Sequence, residues 1–165
     1  MSDDDLLPPS VDPKTPKIGI RTVSGSNDAT CRTVLRVREH CLVTDEPQGS
    51  DTGPTPLETT LAGLIGCEGV IINRCAEAMR FAYAGVEIEG EGEVDGRGSR
   101  GVRGVRPYFN WVRLTIRIRT DEPPERLERL RRNVEHRCPV MNLFRSADVP
   151  VEAEWLTEPV GEPTG

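Results

Sequence analysis

Large anchoring side chains are scarce in this chain: of 165 residues only 4% are aromatic, and hydrophobic residues make up just 36%. A chain of this length forms one domain with a modest core. So thin an apolar content points to further burial between copies of the chain. No apolar run approaches the roughly 18 residues that a spanning helix needs. Met1-Ser2-Asp3-Asp4-Asp5 lacks the basic and then apolar order of a secretory leader. The expected location is therefore the cytoplasm. A net charge of −6 makes nucleic acid a poor partner. Lysine occurs only at Lys14 and Lys17, so nearly all of the 21 basic residues are arginines, which stay charged at any working pH. The cysteines (Cys31, Cys41, Cys67, Cys75 and Cys138) are odd in number and include no C-x-x-C pair, which argues against a disulfide scaffold or a zinc ribbon. The two histidines, His40 and His136, add no recognisable metal-ligand spacing, so no metal site is expected.

What is present alternates between strand and helix patterns. Residues 1–16 are acidic and proline-containing and read as a disordered arm, and 159–165 as a flexible tail, leaving 17–158 as the folded domain. β-Branched residues recur from Ile18 to Val43. Thr33, Leu35 and Val37 share a face with Cys31, while Arg32, Arg36 and Arg38 share the other with Val34. Gly25-Ser26-Asn27-Asp28 reads as the turn before this strand, and 45–54 as a loop. From Pro56 to Arg80, Leu57, Leu61, Leu64, Ile65, Ile72, Cys75, Ala76 and Met79 recur at helical spacing. Thr55 is a suitable N-cap, Pro56 a first helical residue, and Glu58 completes a capping box. Gly63, Gly66 and Gly69 inside this helix suggest a deeply buried middle that another backbone approaches closely. Strands follow at 86–94 and 111–119, the latter with Val112, Leu114, Ile116 and Ile118 facing the core. A glycine- and arginine-rich stretch, 95–107, reads as a flexible loop between them. A helix starting near Pro123 or Pro124 is interrupted at Cys138-Pro139, and 149–155 alternates as a last strand. The order defines an α+β domain without repeats.

Two cysteines stand apart by context. Cys67 lies inside the long helix beside Leu64, Ile65 and Gly66. Position alone favours a small hydrophobe filling a packing gap over a reactive thiol. Cys138 precedes a proline at a helix start, where free N–H groups and the positive helix end favour a thiolate, with His136 and Arg137 as further positive charge. Cys75 lies eight residues beyond Cys67, about 12 Å along a helix, too far for those two to form a disulfide. Cys31, Cys41 and Cys75 read as structural.

The stretch from Gly53 to Cys67, with its Pro56-capped helix, together with Arg137-Cys138-Pro139-Val140, resembles the osmotically inducible protein C and organic hydroperoxide resistance (OsmC/Ohr) family. His40 followed by Asp45-Glu46-Pro47 is similar to its OsmC-like branch. The resemblance covers roughly residues 18–157. It implies an intertwined homodimer with antiparallel sheets around a long central helix bearing Cys67. It also implies that Cys67 is the peroxidatic thiol and Cys138 the resolving one, with organic hydroperoxides and secondarily hydrogen peroxide as substrates, an external dithiol as reductant, and no metal or organic cofactor. In the family an arginine and a glutamate activate the thiol. Here Glu58 is the glutamate candidate, one place later than in the peroxidase branch, where Leu57 stands. Arg21 is the arginine candidate, with Arg36 and Arg38 as alternatives. The other reading of the same scaffold is a redox-sensing or small-molecule-binding protein.

Overall fold

The structure, a computed structural model, describes residues 6–161. Their order is β1 (Ser24–Asn27), β2 (Thr33–Val37), β3 (His40–Thr44), α1 (Pro56–Met79), β4 (Gly85–Val94), α2 (Gly96–Ser99), β5 (Phe109–Arg119), α3 (Pro124–Arg137), α4 (Pro139–Ser146) and β6 (Val151–Glu158). The chain divides into a unit spanning Pro9–Ala62 and a unit that begins at Gly63 and includes the segment ending at Pro8. Among the described residues no helix is long and apolar enough to cross a membrane.

In the first unit β1, β2 and β3 form an antiparallel meander, with Leu35 opposite Leu42 and Val34 opposite Val43. The expected turn at 25–28 is displaced: Gly25, Ser26 and Asn27 belong to β1, and the reversal follows them. Asn27 causes the shift. Its Nδ2 donates to the carbonyls of Thr30 (2.8 Å) and Arg32 (2.9 Å), and its Oδ1 accepts from the Ala29 N–H (2.9 Å). A side-chain amide thus replaces the ladder partner and closes the turn. The 45–54 loop is organised by the buried Asp45. The Thr52 and Glu46 N–H groups and the Thr52 hydroxyl donate to its carboxylate and hold it below its usual pKa.

Helix α1 starts as its residues dictate. The Glu58 N–H donates to Thr55 Oγ1 (3.2 Å), and the Thr55 N–H donates to Glu58 Oε2 (2.7 Å), a reciprocal capping box. The helix ends at Arg80, which takes a left-handed φ of 51°, and the Phe81 N–H reaches back to the Ala76 carbonyl at 2.8 Å. No basic residue occupies its last turn, but Arg126 of α3 donates to the carbonyls of Met79 (3.1 Å) and Arg80 (2.8 Å). A cation from another helix thereby satisfies the negative helix end.

In the second unit β4 and β5 run antiparallel, while β6 joins β5 in parallel. The parallel edge follows from connectivity, because α3 and α4 carry the chain back before β6 begins. Val112, Leu114, Ile116 and Ile118 are all buried on one face of β5, as their alternation demands. Arg113, Arg117 and Arg119 project from the other face and pair with Glu91 and Glu152, Glu89, and Glu87 respectively. Gly90 permits a close helix–sheet approach: a Cβ there would lie 3.1 Å from Leu114 and 3.2 Å from Ile65 of α1. Leu64, Ile72, Leu130, Val134, Met141 and Phe144 complete this core from the helices.

Two further expectations need correcting. The 95–107 stretch is not all loop, since Asp95 accepts the Arg97 N–H at 3.0 Å and caps α2 despite the glycines. Within one chain the middle of α1 is buried on one side, and the expected burial of the glycines is not met there. Leu64, Glu68, Ile72 and Cys75 are buried, whereas Gly63 and Gly66 are exposed, with nothing within 4 Å of an added Cβ. Within one chain, the small residues mark an open face.

Of the segments flanking the domain, residues 1–5 and 162–165 lie outside the described residues. The Leu7 N–H donates to Asn133 Oδ1 (2.7 Å), and the Val160 N–H donates to Asp121 Oδ1 (3.1 Å).

Ile116 is fully buried in β5, whereas Arg113 is exposed beside it. Ile116→Ala should lower the unfolding free energy by about 2–5 kcal/mol. Arg113→Ala should lower it by less than about 1 kcal/mol. Urea denaturation monitored by circular dichroism measures both.

Candidate active site

Cys67 lies on the buried side of α1, three turns from its start, and is half-buried. Cys138 is fully buried at the junction of α3 and α4. This junction follows from local chemistry. Pro139 has no N–H to continue α3, so the helix stops and α4 begins with proline in its first turn. The Cys138 N–H still donates to the Val134 carbonyl (2.9 Å), while its Sγ accepts from the Met141 N–H (3.5 Å). Cys138 thus ends one helix and caps the next. Asn142 Nδ2 donates to the carbonyls of Cys138 (2.8 Å) and His136 (3.2 Å), which holds the corner.

That corner brings Cys138 Sγ to 3.4 Å from Cys67 Sγ, with the Cys138 thiol donating. Both cysteines are free thiols in van der Waals contact. A bond between sulfurs is about 2.05 Å long, so a small movement would join them.

The expected N-cap at Cys138 is present, but its expected consequence is reversed. The Cys138 thiol is pushed well above its usual pKa, first by burial and next by the Glu68 carboxyl beside it. The Met141 N–H opposes this and is outweighed. One helix terminus contributes about 0.3–1 kcal/mol at a surface site. Removing a charged group from water costs several kcal/mol. Nor do the flanking cations assist the thiol directly: Arg137 donates to the carbonyls of Leu7 (2.6 Å) and Pro8 (3.3 Å), and His136 is exposed.

Glu68 is the residue that sequence reading missed. It is fully buried, its carboxyl lies against the Cys138 thiol, and neither oxygen has a well-formed hydrogen bond among the described residues. Burial raises its pKa, reinforced by Glu135, while Cys138 and Arg145 act in the opposite direction. The signal was available: Leu64, Glu68 and Ile72 are four residues apart and define the buried stripe, with an acid at its centre. Burial also raises the Cys75 thiol, with Arg137 lowering it and Glu68 raising it.

The remaining candidates belong to the first unit. Glu58 is exposed in the capping box, where the Thr55 N–H keeps its carboxyl below the usual range. Arg21 is exposed and donates to the Ile20 carbonyl (3.2 Å). Arg21, Arg36 and Arg38, the three candidate arginines, line one cavity of about 840 Å³ with Ile20, Val23 and Val37. Cys31 and Cys41, expected to be structural, are exposed. Cys41 stands opposite Arg36 in the ladder and shares its solvent-facing side, while Cys31 precedes β2. Among the described residues no group of three His, Cys, Asp or Glu side chains is placed to hold a metal ion.

The fold and its apposed thiols define an α+β protein with a cysteine pair between its long helix and a helix–helix corner. The family model described as OsmC-like protein matches residues 49–154, more than half of the sequence, and the chain belongs to that family. No curated protein matches it in sequence. An OsmC-like protein from Mycoplasma pneumoniae is similar in structure, with a TM-score of 0.73 at 16% identity, covering 87% of this chain and 99% of that one. The organic hydroperoxide resistance protein OsmC of Legionella pneumophila is similar too, with a TM-score of 0.63 at 16% identity and coverages of 87% and 99%. Organic hydroperoxide resistance protein OhrB of Bacillus subtilis has a TM-score of 0.60 at 17% identity, with coverages of 85% and 98%. At these identities the likeness speaks for the fold.

Glu68 supplies a stability prediction with a definite sign. Its folded pKa lies above the ordinary 4.5, so in that window the native state holds more protons than the unfolded state. Stability therefore falls as the pH rises from 4.5 through the raised value, and below the window there is no penalty. Glu68→Gln should be more stable than wild type, by a margin that widens as the pH rises. Urea titrations across that range measure it.

Proposed function

We propose that the chain is a cysteine-based peroxidase that reduces organic hydroperoxides, and hydrogen peroxide less readily. The 3.4 Å apposition of Cys67 and Cys138 is the observation that carries this reading. Cys67, the more accessible thiol, is the peroxidatic one. Its thiolate attacks the O–O bond, sulfur takes the hydroxyl as sulfenic acid, and the alkoxide leaves as an alcohol after protonation. Cys138, buried and protonated, then displaces water from that sulfur and forms the Cys67–Cys138 disulfide. An external dithiol restores the thiols, so neither a metal nor an organic cofactor enters the cycle. The aliphatic neighbours Leu64 and Ile65 suit an organic peroxide better than hydrogen peroxide.

Thiolate formation at Cys67 needs a cation, and the arginines of the first unit are the proposed source. Arg21 is the first candidate and Arg36 or Arg38 the alternatives, with Glu58 proposed to orient the guanidinium from the helix start. We place this chemistry in the cytoplasm and in a homodimer. Ile18 (89% exposed) and Ile20 (87%) stand open in the first unit, and in water such side chains favour burial against a second copy.

The cavity lined by Arg21, Arg36 and Arg38 supports a second reading, in which the chain binds a small anionic molecule and the thiol pair senses redox state. Peroxide consumption with a dithiol reductant separates the two. Wild type should turn over cumene and tert-butyl hydroperoxide, Cys67→Ser should be inactive, and Cys138→Ser should accumulate a Cys67 sulfenic acid that dimedone traps. No turnover by wild type across several peroxides and dithiols leaves the binding reading.

The assembly has its own test. Light scattering on a sizing column should give twice the chain mass of 18.2 kDa, and Ile20→Glu should shift the protein toward monomer.

A further inference from the structure

The Cys138 thiol has a single proton and two neighbours able to accept it. One is Cys67 Sγ, 3.4 Å away, and the other is the carboxyl of Glu68. Glu68 is fully buried, follows Cys67 directly in α1, and has neither oxygen engaged in a well-formed hydrogen bond among the described residues. A structural role accounts poorly for it. A buried, unpaired carboxyl destabilises a fold, and an apolar side chain of similar volume in the Leu64–Ile72 stripe would pack without that penalty. An acid there, beside a thiol that must lose its proton to react, fits a chemical task.

We propose that Glu68 is the proton acceptor for Cys138 in disulfide closure, a catalytic residue distinct from the thiols themselves. The assignment deepens the peroxidase reading and rests on it for the nature of the oxidised Cys67. In the closing step Glu68 takes the proton from Cys138 Sγ while the sulfur electron pair attacks the sulfur of the Cys67 sulfenic acid. The S–O bond breaks as the S–S bond forms, and hydroxide leaves as water with the proton that Glu68 returns. Cys138 sulfur is oxidised and Cys67 sulfur reduced to the common disulfide level, and Glu68 ends as it began.

The surroundings suit the task. Glu135 of α3 and Arg145 of α4 face Glu68 with opposite charge, Arg145 also pairs with Glu135 at 3.2 Å, and Cys75 adds a buried thiol from α1 itself. Burial and Glu135 raise the proton affinity of the carboxyl, which makes it a stronger base than an exposed glutamate. Before oxidation the same contact keeps Cys138 protonated, so the buried pair carries no second negative charge beside Cys67.

The test separates closure from peroxide attack. In a background of Cys31→Ser and Cys41→Ser, which removes the exposed thiols, the full chain is mixed with dithiobis-nitrobenzoate. Release of the coloured thiol then has two phases: attack by Cys67, which depends on reagent concentration, and closure by Cys138, which does not. In Glu68→Gln the closure phase should slow by at least about tenfold relative to the first phase of the same variant. Its pH profile should shift upward to that of an unassisted thiol, and Glu68→Asp, which keeps the carboxylate, should recover part of the rate. Equal closure rates and pH profiles in wild type and Glu68→Gln would overturn the assignment. Should the glutamine variant fold poorly by circular dichroism, Glu68→Asp decides: slowed closure supports the assignment and unchanged closure overturns it. Closure that depends on Glu68 in a protein that consumes no peroxide would sink the peroxidase reading and leave Glu68 in place. Peroxide turnover with closure indifferent to Glu68 would do the reverse.

Discussion

Pro139 cannot donate a backbone hydrogen bond, and the geometry of the thiol site depends on that one constraint. A residue with an N–H there could let α3 run on and carry Cys138 away from the corner. With proline, the chain stops one helix and starts another, and Cys138 serves both ends. Asn142 takes up the carbonyls that the break exposes, so hydrogen bonds hold the corner without a disulfide. That corner sets the buried Cys138 sulfur against the half-buried Cys67 sulfur on α1.

Solvation decides what that sulfur is like. A cysteine at a helix start is ordinarily expected to ionise readily, because the terminal N–H groups stabilise its anion. Cys138 has that position and its Met141 contact, yet it is driven toward the neutral thiol. The helix end offers a fixed, modest attraction, whereas the loss of water and the adjacent Glu68 act at full strength in an apolar enclosure. The two cysteines are therefore different kinds of thiol: Cys67 retains access to solvent, and Cys138 is sealed. Such a division suits a reaction in which one thiol must meet an outside molecule and the other must meet only its partner.

The first unit is built on a different economy. Its sheet is held by the meander ladder, by Asn27 and by Asp45, whose side chains supply backbone partners at the turn after β1 and in the 45–54 loop. Its apolar side chains are mostly open, in keeping with a composition short of aromatic anchors. Cys41 and the arginines share this exposed surface, which is why the chemical surroundings of the two units differ so sharply.

Much of the architecture was legible from local chemistry. Thr55, Pro56 and Glu58 specify the start of α1 within a few residues, the alternation in β5 specifies its buried face, and Cys138-Pro139 specifies the helix break, because each acts over one turn or one pleat. Where local rules competed, reading by composition failed: the Asn27 amide moved a turn, and the Asp95 cap made a helix among glycines. The sequence by itself thus determined most of the elements and the cap of the long helix. Tertiary structure alone decided that those thiols meet, that β6 joins its sheet in parallel, and that Glu68 is sealed beside Cys138. The physical reason is that contact across the chain and the loss of water depend on how the elements pack, and no short stretch of residues contains that information.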